Sequence, residues 1–148
     1  MTRPPHILLV ESLYYTHIAA ELRRGAERAL ATADATHERI AVPGAFEIPA
    51  AIGIAGRASE RFDGFVALGC VIRGETTHYD HICAESARGL QDLAIRDGLA
   101  IGYGILTVEN EAQALVRASP EGRDKGGEAV RACLALVALK RRFALLAG

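Results

Sequence analysis

Short continuous runs of apolar residues alternate along this chain with longer segments in which apolar residues recur every three or four positions. Continuous runs are typical of strands that are buried on both faces, and the periodic segments are typical of amphipathic helices. The runs predict four strands, at residues 6–10, 39–42, 63–69 and 99–106.

The segments between these strands predict helices. They are expected from residue 16 to 30, from about 47 to 59, from 77 to 96, in a short stretch after residue 107, and from 128 to 146. Thr77 paired with Asp80 is the expected cap of the long third helix, and Thr107 is the expected cap of the short fourth one.

Apolar strands that alternate with helices favour a parallel sheet covered on both faces. We therefore expect an α/β protein with one domain over residues 1–148, built as three α/β/α layers around a four-stranded, mainly parallel sheet. Ligands of such sheets bind beyond the carboxyl ends of the strands. Those ends should bring together residues 14–15, 45–47, 71–78 and 106–107.

Composition narrows the function classes. Half of the 148 residues are hydrophobic and the net charge is −1, so no broad basic surface points to nucleic acid. Three cysteines in no regular spacing favour reduced thiols. No apolar run has the length of a membrane span and the first residues lack a signal-peptide layout, so we expect a cytoplasmic location.

The clearest candidate site is the stretch LGCVIRGETTHYDHIC, residues 68–83. A strand, a glycine turn and a helix N-terminus follow one another there, which directs backbone N–H groups and a positive dipole end at one point. His78 lies in the first turn of that helix and can both donate and accept a proton near neutral pH. The stretch therefore indicates an anion site, such as a phosphate site, beside an acid–base group.

Two other interpretations of this stretch stay open. The first is a plain strand–turn–helix junction, because no phosphate motif of fixed signature is present and Glu75 adds a negative charge to the turn. The second is a metal site formed by His78, His81 and Cys83 with Cys70 nearby. That spacing matches no structural zinc pattern, so metal is disfavoured.

Further candidates lie on the same rim of the predicted sheet. Glu47 could accept hydrogen bonds from ligand hydroxyls, although a glutamate at a helix start also stabilises its own helix dipole. A flat ring could stack on an aromatic side chain, but any one aromatic is more often a core residue. The aromatic candidates are Tyr14, Tyr15, Phe46 and Tyr103. Arg117 and Lys125 could reach an anion, and exposed surface residues are the alternative for both.

The predicted last helix is apolar over a wider arc than one packed face requires. Between residues 129 and 139 it carries one charge, Arg131, among apolar positions. Such an arc indicates a second buried face and hence a subunit interface, whereas a well-covered core helix is the alternative.

Four motifs, in this order and spacing, resemble the 6,7-dimethyl-8-ribityllumazine synthases: VPGAFEIP at 42–49, GCVIRGETTHYD at 69–80, GILTVEN at 104–110 and DKG at 124–126. The resemblance spans nearly the whole chain and implies a flavodoxin-like fold. It implies a transferase of riboflavin biosynthesis that needs no cofactor. The reaction would condense 5-amino-6-(D-ribitylamino)uracil with 3,4-dihydroxy-2-butanone 4-phosphate and release phosphate and water.

The resemblance also assigns roles by position. His78 matches the proton-transfer group. The butanone phosphate would be bound by Glu75, Thr76 and Arg117. The ribitylaminouracil would be bound by Tyr14, Ala45, Phe46, Glu47, Cys70, Val71, Ile72, Tyr103 and Lys125. The site would lie between neighbouring subunits, with the later residues of the chain coming from the neighbour.

Some features depart from the family pattern. Leu13-Tyr14-Tyr15 replaces a common Arg-Phe-Asn, Glu75 replaces a small residue, and the short N-terminus weakens the case for an added edge strand. The loop over residues 119–127 favours a homopentamer over a shell of sixty subunits. Riboflavin synthase is a further candidate partner. A non-catalytic lumazine- or flavin-binding paralogue and a flavodoxin-like electron carrier are the alternative functions.

Overall fold

The computed structural model describes residues 3–143. Strands and helices alternate along this part of the chain. In chain order they are β1 (His6–Ser12), α1 (Thr16–Thr32), β2 (Thr36–Val42), a 3₁₀ turn (Ala45–Glu47), α2 (Ile48–Ala58), β3 (Gly64–Ile72), α3 (His78–Asp97), β4 (Ile101–Val108), α4 (Glu111–Ala118) and α5 (Lys125–Arg142).

The four strands form one sheet in the order β2-β1-β3-β4. Every neighbouring pair is parallel, and Leu9 of β1, for example, lies opposite Arg39 of β2 and Val66 of β3. The predicted α/β class and the four-stranded sheet are confirmed, and among the described residues the sheet is parallel throughout rather than mainly parallel.

Apolar side chains on the two faces of the sheet form two cores. Ile7, Leu9 and Val66 point to one face, where they pack with residues of α1, α4 and α5. Leu8 and Val10 point to the other face, where they pack with residues of α2 and α3. Strands with both faces buried explain the continuous apolar runs, and the three-layer α/β/α arrangement is confirmed.

Small residues let α5 lie close to its neighbours. A Cβ atom at Gly102 of β4 would overlap the carbonyl oxygen of Ala129, and one at Gly126 would overlap the carbonyl oxygen of Leu22 in α1. The helix therefore rests on glycine backbone on two sides, which fixes its depth against the sheet.

Several predicted element ends were wrong. β1 and β4 each continue two residues beyond their predicted ends, and α5 begins at Lys125 rather than at residue 128 and ends at Arg142. Residues 144–146, which were expected to continue this helix, lie outside the described residues. No helix within residues 3–143 is both long and apolar enough to cross a membrane.

Two predicted helix caps were also wrong. Thr77 precedes α3 without a side-chain capping hydrogen bond. Thr107 lies inside β4, and α4 is capped instead by Asn110, whose Oδ1 accepts from the Gln113 amide at 2.9 Å.

Candidate active site

A cavity of about 490 Å³ opens at the carboxyl ends of β1, β2 and β3. The chain turns outward in opposite directions from β1 and β3, so the gap between these two strands is the switch point where ligands of doubly wound sheets bind. The lining residues are Ser12, Tyr14, Tyr15, Pro43, Gly44, Ala45, Phe46, Glu47, Cys70, Val71, Ile72, Gly74, Thr76, His78, Tyr79 and Ile82. The predicted rim residues 106–107 do not line it.

The turn between β3 and α3 forms one side of this cavity. His78 is the first residue of α3, and its amide donates to Thr76 Oγ1 at 3.3 Å. Thr76 and His78 both line the cavity and are exposed. The free amides and positive dipole end of α3 are therefore beside an imidazole, as the sequence predicted. Glu75 is exposed but does not line the cavity.

The 3₁₀ turn after β2 forms the opposite side. The Glu47 amide donates to the Gly44 carbonyl at 3.2 Å, which closes the turn, and Pro49 fits the first turn of α2 because it needs no amide partner there. Ala45 is buried, whereas Phe46 is half exposed and Glu47 is exposed. An apolar ring and a carboxylate thus face the cavity together.

The end of β3 forms the floor. Val71 and Ile72 are paired with Thr107 and Val108 of β4, so the backbone there is held in an extended conformation. Burial raises the pKa of the Cys70 thiol to about 12, so this side chain stays protonated and is not a nucleophile at neutral pH.

Two tyrosines follow β1 at the mouth of the cavity. The rings of Tyr14 and Tyr15 meet edge to face, with centroids 4.9 Å apart and planes at 79°. Tyr14 is 74% exposed, so a face of its ring is free in a single chain. Tyr15 packs against the core, and burial followed by the nearby Tyr14 and Cys70 raises the pKa of its hydroxyl. Tyr15 therefore supports the Tyr14 ring without carrying charge.

Three predicted site residues lie away from the cavity. Tyr103 points from β4 toward α3, Arg117 of α4 donates to the Gln113 carbonyl at 3.1 Å, and Lys125 at the start of α5 lies 3.1 Å from Glu128. Arg117 and Lys125 belong to the helices on the opposite face of the sheet from α3. Within one described chain, the cavity brings together nine predicted residues, namely Tyr14, Ala45, Phe46, Glu47, Cys70, Val71, Ile72, Thr76 and His78.

Some lining residues were not predicted as site residues. Ser12, Pro43 and Gly44 flank predicted segments in the sequence, and Tyr79 and Ile82 follow His78 by one and four positions. The spacing of His78 and Ile82 predicts that both face the cavity, because positions i and i+4 lie on the same face of a helix. Within residues 3–143 no group of three or more His, Cys, Asp or Glu side chains is placed to hold a metal ion.

Comparisons with known proteins identify the family of this chain. The family model described as 6,7-dimethyl-8-ribityllumazine synthase matches residues 4–141. The proteins of that name from Bartonella tribocorum and Novosphingobium aromaticivorans are 51% and 57% identical to this chain. These alignments cover 97% and 92% of this chain and 95% and 96% of the two proteins. The chain belongs to the 6,7-dimethyl-8-ribityllumazine synthase family, a family of enzymes of riboflavin biosynthesis.

A solved structure resembles the fold alone. A fragment of a putative lipoprotein from Peptoclostridium difficile 630 aligns with a TM-score of 0.50 at 11% identity, over 93% of this chain and 98% of that one. Identity this low carries no information about activity.

Proposed function

We propose that the cavity between β1 and β3 is where this enzyme condenses 5-amino-6-(D-ribitylamino)uracil with 3,4-dihydroxy-2-butanone 4-phosphate. An amine of the first substrate and the ketone of the second form an imine with loss of one water, inorganic phosphate leaves, and the ring closes with loss of a second water. The observation that carries the proposal is the placement of Thr76 and His78, at the N-terminus of α3, in the same cavity as the turn Ala45–Glu47.

Each part of the cavity has a proposed role in that reaction. The phosphate binds at the N-terminus of α3, where Thr76 and free amides donate hydrogen bonds. His78 moves the protons that imine formation and phosphate loss require. The backbone of Cys70, Val71 and Ile72 hydrogen-bonds the pyrimidine edge.

The remaining side chains of the cavity orient the first substrate. Tyr14 and Phe46 contact the pyrimidine ring. Ala45 contacts the ribityl chain, and the Glu47 carboxylate accepts hydrogen bonds from its hydroxyls. Glu75, exposed beside the cavity, contributes its backbone amide to the phosphate site. Much of the rate then comes from holding two substrates in contact.

We further propose that the working site includes a neighbouring subunit of a homopentamer, whose Tyr103, Arg117 and Lys125 complete it. Two observations support this. These three side chains lie outside the cavity of their own chain, and Leu136 and Leu139 of α5 remain 37% and 46% exposed. Apolar positions exposed along a helix favour a partner. Riboflavin synthase, which would consume the product, is a proposed partner protein.

We also propose a cytoplasmic location. Cys70, Cys83 and Cys133 are all free thiols, a state that suits a reducing compartment.

A two-substrate assay tests the catalytic proposal. The two compounds are mixed with enzyme, and the fluorescence of the lumazine product is followed against the uncatalysed rate. His78→Ala should lower kcat about 10²–10⁴-fold, the range of general acid–base catalysis. Because His78 is exposed, the variant should fold normally.

His81→Ala is the matched control. His81 lies one turn further along α3, is exposed and does not line the cavity. The kcat of His81→Ala should therefore equal that of wild type. Substrate binding without product above the background rate would contradict an enzymatic role and favour a binding paralogue. A normal rate for His78→Ala would remove the role assigned to the histidine.

A further inference from the structure

The turn that carries Thr76 and His78 has little packing around it. Residues 73–78 are all exposed, and a Cβ atom at Gly74 would meet only open space. Thr77 supplies no capping hydrogen bond, and the bond from the His78 amide to Thr76 Oγ1 is long at 3.3 Å. Segments with few buried contacts open locally at a low free-energy cost. Something outside the turn must therefore hold the imidazole in place.

Arg73 joins the elements on either side of this turn. Its Nε donates to Glu109 Oε2 at 2.8 Å, and its Nη1 lies 3.6 Å from Asp80 Oδ1. Its Cζ lies 4.3 Å from the centroid of the Tyr79 ring. Glu109 follows β4, whereas Tyr79 and Asp80 belong to the first turn of α3. One guanidinium therefore contacts both the end of the sheet and the start of the helix.

The backbone of Arg73 is also fixed. Its amide donates to the Val108 carbonyl at 2.9 Å, which continues the β3–β4 hydrogen bonding one residue past the end of β3. The side chain thus extends from an anchored residue. A planar guanidinium can donate to two carboxylates and lie over an aromatic face at once, which a lysine ammonium cannot do with the same geometry.

We propose that Arg73 is a positioning residue for the reaction: it holds the first turn of α3 against the end of β4 and thereby fixes His78 and Thr76 in the cavity. The inference rests on the proposed function, because Arg73 acts through His78. Arg73 does not line the cavity, and Glu109 and Asp80 compensate its charge. It is therefore not a direct phosphate ligand. Its contacts are exposed and contribute little to global stability, so its effect is on the position of the turn.

Steady-state kinetics of Arg73→Met, His78→Ala and the double variant test the inference. Arg73→Met should lower kcat about 10-fold or more, because sub-ångström placement of a proton-transfer group carries much of its effect. The loss should not exceed that of His78→Ala. The double variant should be as slow as His78→Ala alone, since two residues that act through one group are not additive.

Arg88→Met is the matched control. Arg88 lies on α3 in ion pairs of 2.9 Å with Glu85 and Asp92, away from the cavity, and its loss should leave kcat unchanged. The kcat of Arg73→Lys should lie between the values of wild type and Arg73→Met. If Arg73→Met does not fold, hydrogen exchange in Arg73→Lys replaces the kinetics. The amides to follow are 81–84, which donate to the carbonyls of the first turn of α3, beginning with the bond from the His81 amide to Thr77. Faster exchange than in wild type is expected, and equal exchange would overturn the inference.

Three kinetic results would overturn the inference: a normal kcat for Arg73→Met, losses that multiply in the double variant, or a higher KM for the phosphate substrate at unchanged kcat. The last result would make Arg73 a substrate ligand. A slow His78→Ala together with a normal Arg73→Met rejects the inference alone. A normal His78→Ala rejects the proposed role of the histidine as well.

Discussion

Asp63 connects the two ends of the described chain. Its carboxylate is 2% exposed and accepts hydrogen bonds from the Arg3 guanidinium at 2.5 and 2.6 Å and from the His6 amide at 2.9 Å. Arg141, near the end of α5, lies 3.7 Å away. Burial alone would raise the pKa of this carboxyl, but the hydrogen bonds and the two arginine charges lower it below its ordinary value.

Asp63→Ala should therefore destabilise the protein, by about 2–4 kcal/mol at pH 7, because it leaves arginines without their partner. The folded-state pKa is lowered, so the stabilisation is complete above the unfolded-state value of about 4 and is lost as the pH falls through the folded-state value. Urea unfolding at equal protein concentration should show a large difference between the variant and wild type at pH 7 that shrinks in acid below about pH 4.

Asp92→Ala is the control for this measurement. Asp92 forms a 2.9 Å ion pair with Arg88 on the surface of α3 and is 39% exposed. Its removal should cost less than about 1 kcal/mol. If the two variants lose equal free energy of unfolding, Asp63 stabilises the fold no more than an exposed ion pair does.

Residue chemistry explains which parts of the candidate site the sequence could predict. Most cavity residues of the contiguous motifs, such as Phe46, Thr76 and His78, were predicted, because a strand end and the turn after it reach the rim together. Tyr79 was not, although it adjoins His78, because its ring serves the packing around Arg73 as well as the cavity. A sequence pattern does not separate these two uses of one aromatic ring.

At the scale of elements, α4 has a well-defined start. Asn110 Oδ1 accepts from the Gln113 amide at 2.9 Å, and Gln113 Oε1 accepts from the Glu109 amide at 2.8 Å. This is a reciprocal arrangement of the capping-box kind, and it orients the short helix that carries Arg117.

Asn110→Ala should lower the free energy of unfolding by about 1 kcal/mol, because it removes the acceptor for a helix amide that otherwise has no partner. Asn110→Asp should retain most of the stability. Thr107→Ala is the control, since Thr107 lies exposed in β4, and a change within about 0.5 kcal/mol is expected. The three variants are compared by urea unfolding, and a Thr107→Ala loss as large as that of Asn110→Ala would contradict the assigned cap.

The fold was largely predictable because the two central strands, β1 and β3, are buried on both faces, whereas each helix buries one face. The misplaced ends have local causes. The sequence indicates a cap at Thr107 because this residue follows an apolar run, but β4 continues to Val108 by pairing with Ile72. β1 extends through Glu11, a buried charge made tolerable by Arg23 at 2.9 Å. Such partners are far apart in sequence, so a local pattern does not reveal them.

The start of α5 was misplaced for another reason. Gly126 and Gly127 read as loop residues because glycine disfavours helix interiors. Their missing side chains instead allow contact with α1 and with Asp124, which caps the helix from a left-handed conformation with φ of 48°. Tertiary packing outweighs helix propensity here.

At the scale of the whole molecule, the proposed site has residues in layers on opposite faces of the sheet. His78 and Glu47 line the cavity, whereas Arg117 and Lys125 belong to the helices of the opposite layer. If these residues act in one reaction, they come from two chains. In a cyclic assembly each chain then gives one half-site to each neighbour.

That arrangement predicts complementation between two inactive variants. His78→Ala and Arg117→Ala are each expected to be slow alone. When they are unfolded together and reassembled at equal amounts, about a quarter of the sites should combine an intact His78 with an intact neighbouring Arg117, because each subunit is chosen at random. The activity of the mixture should rise to about a quarter of the wild-type activity. It is measured by lumazine fluorescence on a sample in which the mass of the assembly has been determined.

The control pairs His78→Ala with Glu47→Ala. Both changes lie in the cavity of one chain, so a neighbour cannot repair either of them, and the mixture should stay as slow as its components. Native mass measurement of both mixtures checks that the subunits have mixed and whether five chains assemble. Mixed assemblies without recovered activity in the first pair would place Arg117 and His78 in the same subunit's site. A normal rate for Arg117→Ala alone would remove Arg117 from the site altogether. Recovery in the control pair as well would show that the assay reports refolding rather than shared sites.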